Sequence, residues 1–293
     1  MCIRDRVCSG QTGTSSNFNF FVLKLDGGAF VEVFSESLDY EKGFVYPLFN
    51  AENNVEVCGR WEAWTDDFSE LHGIGINLAG QRICRPQPIL SDLEFDKDGS
   101  IILALMDRTG HQTGYNQYNT TAGPELFNGY VGGDILRVHN NNGTYELEQG
   151  GTTVAGGGCG ANGEGPDGGE YYCGENFQDL HLENSLGALA ISDADDLVAL
   201  NLMDPVGVFS GGTVWLNNTT GQQENAFELY NSHPFTGPPE VGTFGKAAGL
   251  GDLELVCEAA PIEIGNLVWI DIDKDGIQDA DEEGIDGIIL PFF

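Results

Sequence analysis

Apolar residues in this chain fall in short blocks that are closed by glycine, asparagine or aspartate, and few stretches carry a helical period. Phe20–Leu25, the turn Asp26-Gly27-Gly28 and Ala29–Phe34 predict one hairpin. Asp134–His139, a turn ending in Asn142-Gly143 and Thr144–Glu148 predict a second, and Thr213–Asn217, a polar connection through Gly221 and Ala226–Tyr230 a third. Asp-Gly and Asn-Gly turns between apolar runs mark hairpins because the tight two-residue turn needs positive φ at its centre. A second kind of unit alternates with these. Leu93–Phe95, the turn Asp96–Gly99 and Ile101–Asp107 match Ala188–Ile191, the turn Ser192–Asp196 and Leu197–Asp204, and both end in Leu-Met-Asp. Gly251–Val256 reads as a third copy of the opening strand, so the chain contains an internal repeat.

One unit of each kind supplies about four strands, the content of a propeller blade of about 40–50 residues. Two insertions stretch the repeat, Thr109–Gly129 and the glycine-rich Gly150–Tyr172. The expected fold is therefore mainly β, with Phe18–Cys257 forming propeller-like blades with decorated loops and a pair of β-sandwiches as the alternative. With 293 residues the chain is long enough for one large domain or two ordinary ones, and 42 glycines against three methionines favour a turn-rich β architecture.

Charge narrows the partners. Twelve basic residues face 46 acidic ones, a formal net charge of −34 spread along the whole chain. Such a field repels nucleic acid and anionic membranes, attracts cations and keeps a protein soluble in a salty exterior. The longest apolar runs, such as Ile101–Met106, are too short to span a membrane. The opening Met1-Cys-Ile-Arg-Asp-Arg6 resembles a translated sequencing-adapter scar, so residues 1–6 are expected to join no strand. Apart from Cys2, the six cysteines Cys8, Cys58, Cys84, Cys159, Cys173 and Cys257 form an even set without any C-x-x-C, which favours disulfides over zinc. The local pairings Cys159 with Cys173 and Cys58 with Cys84 are preferred, though the spacing leaves other connectivities open.

The strongest chemical signal lies near the end. Asp271, Asp273, Asp275, Gly276, Asp279 and Glu282 fill the frame D-x-[DN]-x-[DN]-G-x5-E, in which alternate short side chains point oxygens into one loop and a glycine allows the sharp turn. Carboxylates packed this closely repel one another without a cation. The flanks are strand-like: Ile264–Ile270 has no helical period, and Gly284, Gly287 and Pro291 leave no room for an exit helix.

The run Ile264–Ile288 closely resembles the opening of the SdrD B-like module, a calcium-binding β-sandwich of the prealbumin type found in tandem on bacterial surface proteins. The resemblance covers about a quarter of one module. It implies a Ca2+ ion held by Asp271, Asp273, Asp275, Asp279 and Glu282, with the Ile277 carbonyl completing the set. Family members often have asparagine where this chain has Asp273, a change that adds charge without removing a ligand. Arg85–Asp92, Gly133–Arg137 and Phe244–Glu254 are also similar to the region preceding such modules in some large bacterial surface proteins, a likeness that names no activity.

Other motifs carry less. Asp96-Lys-Asp-Gly99 looks like half a calcium loop, but apolar residues follow it and a hairpin turn is the better reading. Gly158–Gly163 satisfies G-x-G-x-x-G without the strand and helix that a nucleotide site needs, and reads as a flexible loop pinned by a disulfide. His72, His111, His139, His181 and His233 are scattered as surface or turn histidines would be. Asp107 and Asp204 end equivalent strands, where aspartates commonly cap backbone amides; they are the fallback site of an enzyme. The sequons at Asn119, Asn142, Asn217 and Asn218 indicate exposed loops, and Trp61, Trp64 and Tyr115 suit a core better than a sugar platform.

These readings divide the chain into residues 1–6, a propeller-like domain over 7–260, and the start of a β-sandwich module over 261–293. The expected protein is non-enzymatic and extracellular, secreted or attached to the cell surface, with a recognition domain for a surface ligand, polysaccharide or protein, on a calcium-stiffened stalk. The alternative is an extracellular propeller enzyme acting on polysaccharide with the same modules as its stalk.

Overall fold

The computed structural model describes residues 3–5, 19–46, 56–74, 81–118, 120, 124–178, 180–192, 194–231, 246 and 250–255. The chain divides into two compact units, Met1–Leu255 and Val256–Phe293, and the second lies outside the described residues.

The first unit is mainly β, and two of its sheets are four-stranded and antiparallel throughout. One is built from β6 (Pro88–Phe95), β7 (Ile101–Asp107), β10 (Asp134–Asn141) and β11 (Thr144–Leu147), adjacent in that order. The other runs β14 (Ser185–Ser192), β15 (Leu197–Met203), β16 (Ser210–Asn217) and β17 (Gln223–Asn231). The two Leu-Met-Asp strands thus occupy the same place, second in each sheet, and the internal repeat is a repeat of topology. A third sheet joins β1 (Ile3–Asp5), β2 (Asn19–Asp26) and β3 (Ala29–Ser37). A fourth, with one parallel pair, has the order β4 (His72–Ile74), β5 (Gln81–Cys84), β9 (Leu126–Gly129), β8 (Gln117–Tyr118).

Turn chemistry sets the register. Asp26 pairs with Ala29 across Gly27-Gly28, and Asn141 with Thr144 across Asn142-Gly143; both residues of each turn have positive φ. Between them, the strands stack in layers. The central sheet buries both faces, with Ile101, Leu103, Leu105, Leu136 and Val138 packed on Phe20, Val22 and Phe34 of the hairpin β2–β3. Ile102, Ala104 and Ile135, on the opposite face, pack on Leu189, Val198, Leu200, Leu202, Val214 and Leu216 of the β14–β17 sheet. Covering on both sides is why β7 reads as an unbroken apolar run instead of an alternation.

Three expectations are corrected. Residues Ile3–Asp5 do join a strand, pairing Ile3 with Lys24 and Asp5 with Val22, because the edge of β2 leaves backbone groups open to an extended segment. Gly251–Leu255 forms no strand in the described residues; its Gly251 carbonyl instead accepts from the buried Asn201 amide. The glycine-rich insertion is folded, not loose: β12 (Gly160–Ala161) pairs with β13 (Gly169–Glu170), and Tyr171 and Tyr172 enter the second core. No helix among the described residues is long and apolar enough to cross a membrane.

Candidate functional site

Both preferred cysteine pairs form, Cys58–Cys84 and Cys159–Cys173, each with 6.0 Å between Cα atoms. The first sits in a third core cluster with Phe44, Val45, Tyr130, Val131, Leu186 and Met203. The second closes the glycine-rich insertion. Asp271, Asp273, Asp275, Ile277, Asp279 and Glu282, the expected calcium ligands, all lie outside the described residues.

Within the described residues a different set of acids converges. Asp134 opens β10, Glu170 ends β13, Glu164 lies in the insertion, and Glu175 and Glu183 lie on the irregular segment leading into β14. Asp134, Glu170, Glu175 and Glu183 are at most 4% exposed. One carboxylate oxygen from each of Asp134, Glu175 and Glu183 lies within 4.8 Å of the others, and Glu164, Glu170 and Glu183 form a second such group. Glu183 belongs to both.

The protein satisfies few of these oxygens. Tyr40 donates its hydroxyl to Asp134, and the Asn162 amide donates to Glu170 at 2.9 Å. Both oxygens of Glu175, Oε1 of Glu170 and Oε2 of Glu183 have no hydrogen-bond partner. Buried Lys42 stands nearby, its ammonium over the Trp61 ring at 5.2 Å and donating to the Gly43 carbonyl at 3.5 Å. Glu148 shows the contrast: it is just as buried, but its two oxygens accept the Arg137 amide at 3.0 Å and the Tyr171 amide at 3.3 Å.

Electrostatics follow from this geometry. Burial, then the charges of Asp134 and Glu170, drives the Glu175 carboxyl well above the ordinary range, against a smaller pull from Lys42 and the nearby Ile135 amide. Burial with Glu170 and Glu175 does the same to Glu183. Burial pushes Glu170 up to about 8 and Asp134 up to about 6, the latter held back by Tyr40 and Lys42. Such carboxyls either carry protons or require a cation.

Backbone shape brings the acids this close. Gly43 has φ +96°, and a Cβ there would stand 2.7 Å from Cγ of Glu183 and 2.8 Å from the carboxyl carbon of Glu164. A side chain at this position would therefore collide with two of the carboxylate arms.

The two strand-end aspartates do cap amides as expected, and more. Asp107 Oδ1 accepts from Gln87 and Thr109 amides, both at 2.9 Å. Asp204 Oδ1 accepts from the Ser210 amide at 2.9 Å, while its other oxygen meets Lys246 and lies 3.0 Å from His181 Nε2. His181 Nδ1 faces the Val45 carbonyl at 2.9 Å, so this ring nitrogen donates and Nε2 receives Lys246 at 2.7 Å. His181 is thus a buried core histidine, correcting its expected surface position; burial and the neighbouring Lys246 charge hold its pKa down despite Asp204. Burial also lowers that of Lys246.

The Asp96 turn joins two sheets. Its Oδ2 accepts from Arg137 of β10 at 2.5 Å and from Asn218, beyond β16, at 2.9 Å, and Arg137 also donates to Tyr172 and Asn218 at 3.0 and 2.7 Å. Asn218 is therefore buried, not the exposed sequon expected of it. Trp61 is core, while Trp64 donates to the Pro88 carbonyl at 2.9 Å and Tyr115 meets Phe209 edge-on at 4.7 Å. On the surface, a groove lies between β3 and β11, lined by Phe34, Glu36, Tyr145, Glu146, Gln149 and Thr152.

Among curated proteins, the chain is similar to three from Dictyostelium discoideum. It is 30% identical to Colossin-C over 296 residues, a match covering 97% of this chain and 26% of that protein. It is 29% identical to Colossin-A over 296 residues, 97% of this chain and 2% of that protein. It is 26% identical to Colossin-B over 316 residues, 98% of this chain and 7% of that protein. The chain thus spans about a quarter or less of these relatives. No family model matches it, and no solved structure matches it significantly.

Proposed function

We propose that the protein is secreted or held at the cell surface and acts by binding, not catalysis. In this reading a propeller-like recognition domain precedes a calcium-stiffened β-module of the SdrD B-like kind. The observation that carries the reading is the pair of disulfides, Cys58–Cys84 and Cys159–Cys173, since such bonds persist in oxidising surroundings and are rare in a reducing cytosol. Two four-stranded antiparallel sheets packed face to face, with the β2–β3 hairpin on the far side of the first, support the propeller-like part of the reading, since blades are four-stranded antiparallel sheets stacked on one another.

The Asp271–Glu282 frame supplies the calcium part of the proposal, and the match to Colossin-C takes in both units, in a chain about four times as long. The groove between β3 and β11 suits the ligand side: an aromatic face at Tyr145 beside Glu36, Glu146 and Gln149 is a mixture that receives a sugar ring and its hydroxyls.

The test is made on the natural full-length chain in its own cells. Protease treatment of intact cells, or analysis of the medium, is expected to yield peptides of this chain with Cys58 joined to Cys84 and Cys159 to Cys173. Recovery only from the cytosolic fraction, with these four thiols free, refutes the reading.

A further inference from the structure

We infer that the first unit holds its own calcium ion, inside the fold, on the carboxylates of Asp134, Glu175 and Glu183, with Glu164 and Glu170 flanking it through the shared Glu183. The site is separate in sequence from Asp271–Glu282 and owes nothing to that motif.

Distances support it first. Two oxygens that each lie about 2.4 Å from one calcium ion stand at most about 4.8 Å apart. The oxygens of Asp134, Glu175 and Glu183 meet that limit pairwise, within 4.8 Å, as do those of Glu164, Glu170 and Glu183.

Satisfaction supports it independently. Glu175 is 1% exposed, yet neither of its oxygens is met by a donor in hydrogen-bonding geometry, the nearby Ile135 amide exerting only a minor pull, and one of them belongs to the group formed with Asp134 and Glu183. Oε2 of Glu183 and Oε1 of Glu170 are also without donors. A buried carboxylate serving only the fold is expected to look like Glu148, with amides on both oxygens. Four oxygens on side chains of β13 and the segment before β14 thus lack a protein donor beside Asp134 of β10, the arrangement expected of cation ligands.

Charge and ligand type select the ion. Lys42 offsets one of the five charges, leaving a divalent cation to neutralise more. Ligands that are all carboxylate oxygen exclude the soft-metal preference of thiolate and imidazole sites. A buried group of several carboxylates, each able to bind through two oxygens, suits the high and flexible coordination of calcium. Magnesium prefers to keep several waters in a small octahedron. Such an ion would tie the glycine-rich insertion to β10 and β14, giving the insertion a structural task.

The experiment uses the full chain carrying Asp275→Ala and Glu282→Ala, so that the terminal loop does not contribute. After removal of metal, calorimetric titration at neutral pH is expected to detect bound calcium in this parent, and calcium is expected to raise its melting temperature. Adding Glu175→Gln and Glu183→Gln is expected to weaken binding at least about tenfold by removing charged ligands. The two variants should also cross: without calcium the glutamine variant melts at or above the parent, and with calcium it melts below it. A parent that binds no calcium at several millimolar overturns the inference whatever the variant does, and so does a glutamine variant that binds calcium as the parent does. Failure of the terminal loop instead appears as equal binding by the unaltered chain and the parent, so the two outcomes are distinguishable.

Discussion

Replacing Asp96 by alanine tests how the layers of the first unit are locked together. Asp96 and Arg137 have side-chain exposures of 4% and 8%, and the guanidinium has Asp98 as its second anion, 3.6 Å away and 47% exposed. Asp96→Ala leaves Arg137 with the neutral oxygens of Tyr172 and Asn218 and a solvent-screened carboxylate. Breaking a buried pair by removing one partner costs about 3–5 kcal/mol, most of it the uncompensated charge. Loss of the Lys97 amide's bond to Asp96 Oδ1, at 2.7 Å, adds about 1 kcal/mol. Asp98→Ala removes only a screened contact and costs less than about 1 kcal/mol. Urea denaturation of the three proteins at neutral pH, followed by tryptophan fluorescence, measures the differences. If the orphaned cation is the cause, Arg137→Met in the Asp96→Ala background recovers at least about 1 kcal/mol. Equal losses for Asp96→Ala and Asp98→Ala, or no recovery in the double variant, refute the reasoning. The pair also has a pH signature. Burial raises the Asp96 carboxyl, but the hydrogen bond and charge of Arg137, with Asn218, outweigh it and hold the pKa below its ordinary value. A depressed folded pKa gives stability that is fully present above the unfolded value of about 3.9 and is lost as pH falls through the folded one. Asp96→Asn should therefore flatten the acid limb of the stability profile below about pH 4, and an unchanged limb counts against the assignment.

Three further outcomes are expected. Cys159→Ser with Cys173→Ser opens a 14-residue separation and should cost about 3 kcal/mol on the chain-entropy account, read as a lower denaturation midpoint; an unchanged midpoint rejects it. Gly43→Ala places a methyl 2.7 Å from Glu183 at a positive φ and should cost about 1–3 kcal/mol, so a thermal melt matching the wild type contradicts the described backbone. In the natural full-length chain carrying Glu175→Gln and Glu183→Gln, Asp271–Glu282 should bind calcium with a Kd on the order of 10⁻⁴ to 10⁻³ M, and Asp275→Ala or Glu282→Ala should abolish the remaining thermal shift; no binding at several millimolar ends that assignment.

What the sequence by itself determined is local. Glycine and asparagine at Gly27, Gly28, Asn142 and Gly143 specify tight turns through their tolerance of positive φ, so two hairpins and their partners were legible, as was the repeat ending in Leu-Met-Asp. The pairings Cys58–Cys84 and Cys159–Cys173 were legible as local preferences, and the aspartate caps at Asp107 and Asp204 as turn chemistry. Tertiary structure alone decided what the turns and loops do once the sheets stack. Asp134, Glu164, Glu170, Glu175 and Glu183 are spread over 50 positions without a common spacing, and no local rule joins them. They meet because a glycine-rich insertion, which looks like a linker in composition, packs its closing Tyr171 and Tyr172 against Ile135 and Arg137 of β10, and because Gly43 leaves room for two of their side chains. His181 and Asn218 were misplaced for the same reason. Polarity along the chain predicts exposure, but a polar side chain is buried wherever packing supplies it with Lys246 and Asp204, or with Arg137 and Asp96, and those partners are distant in sequence.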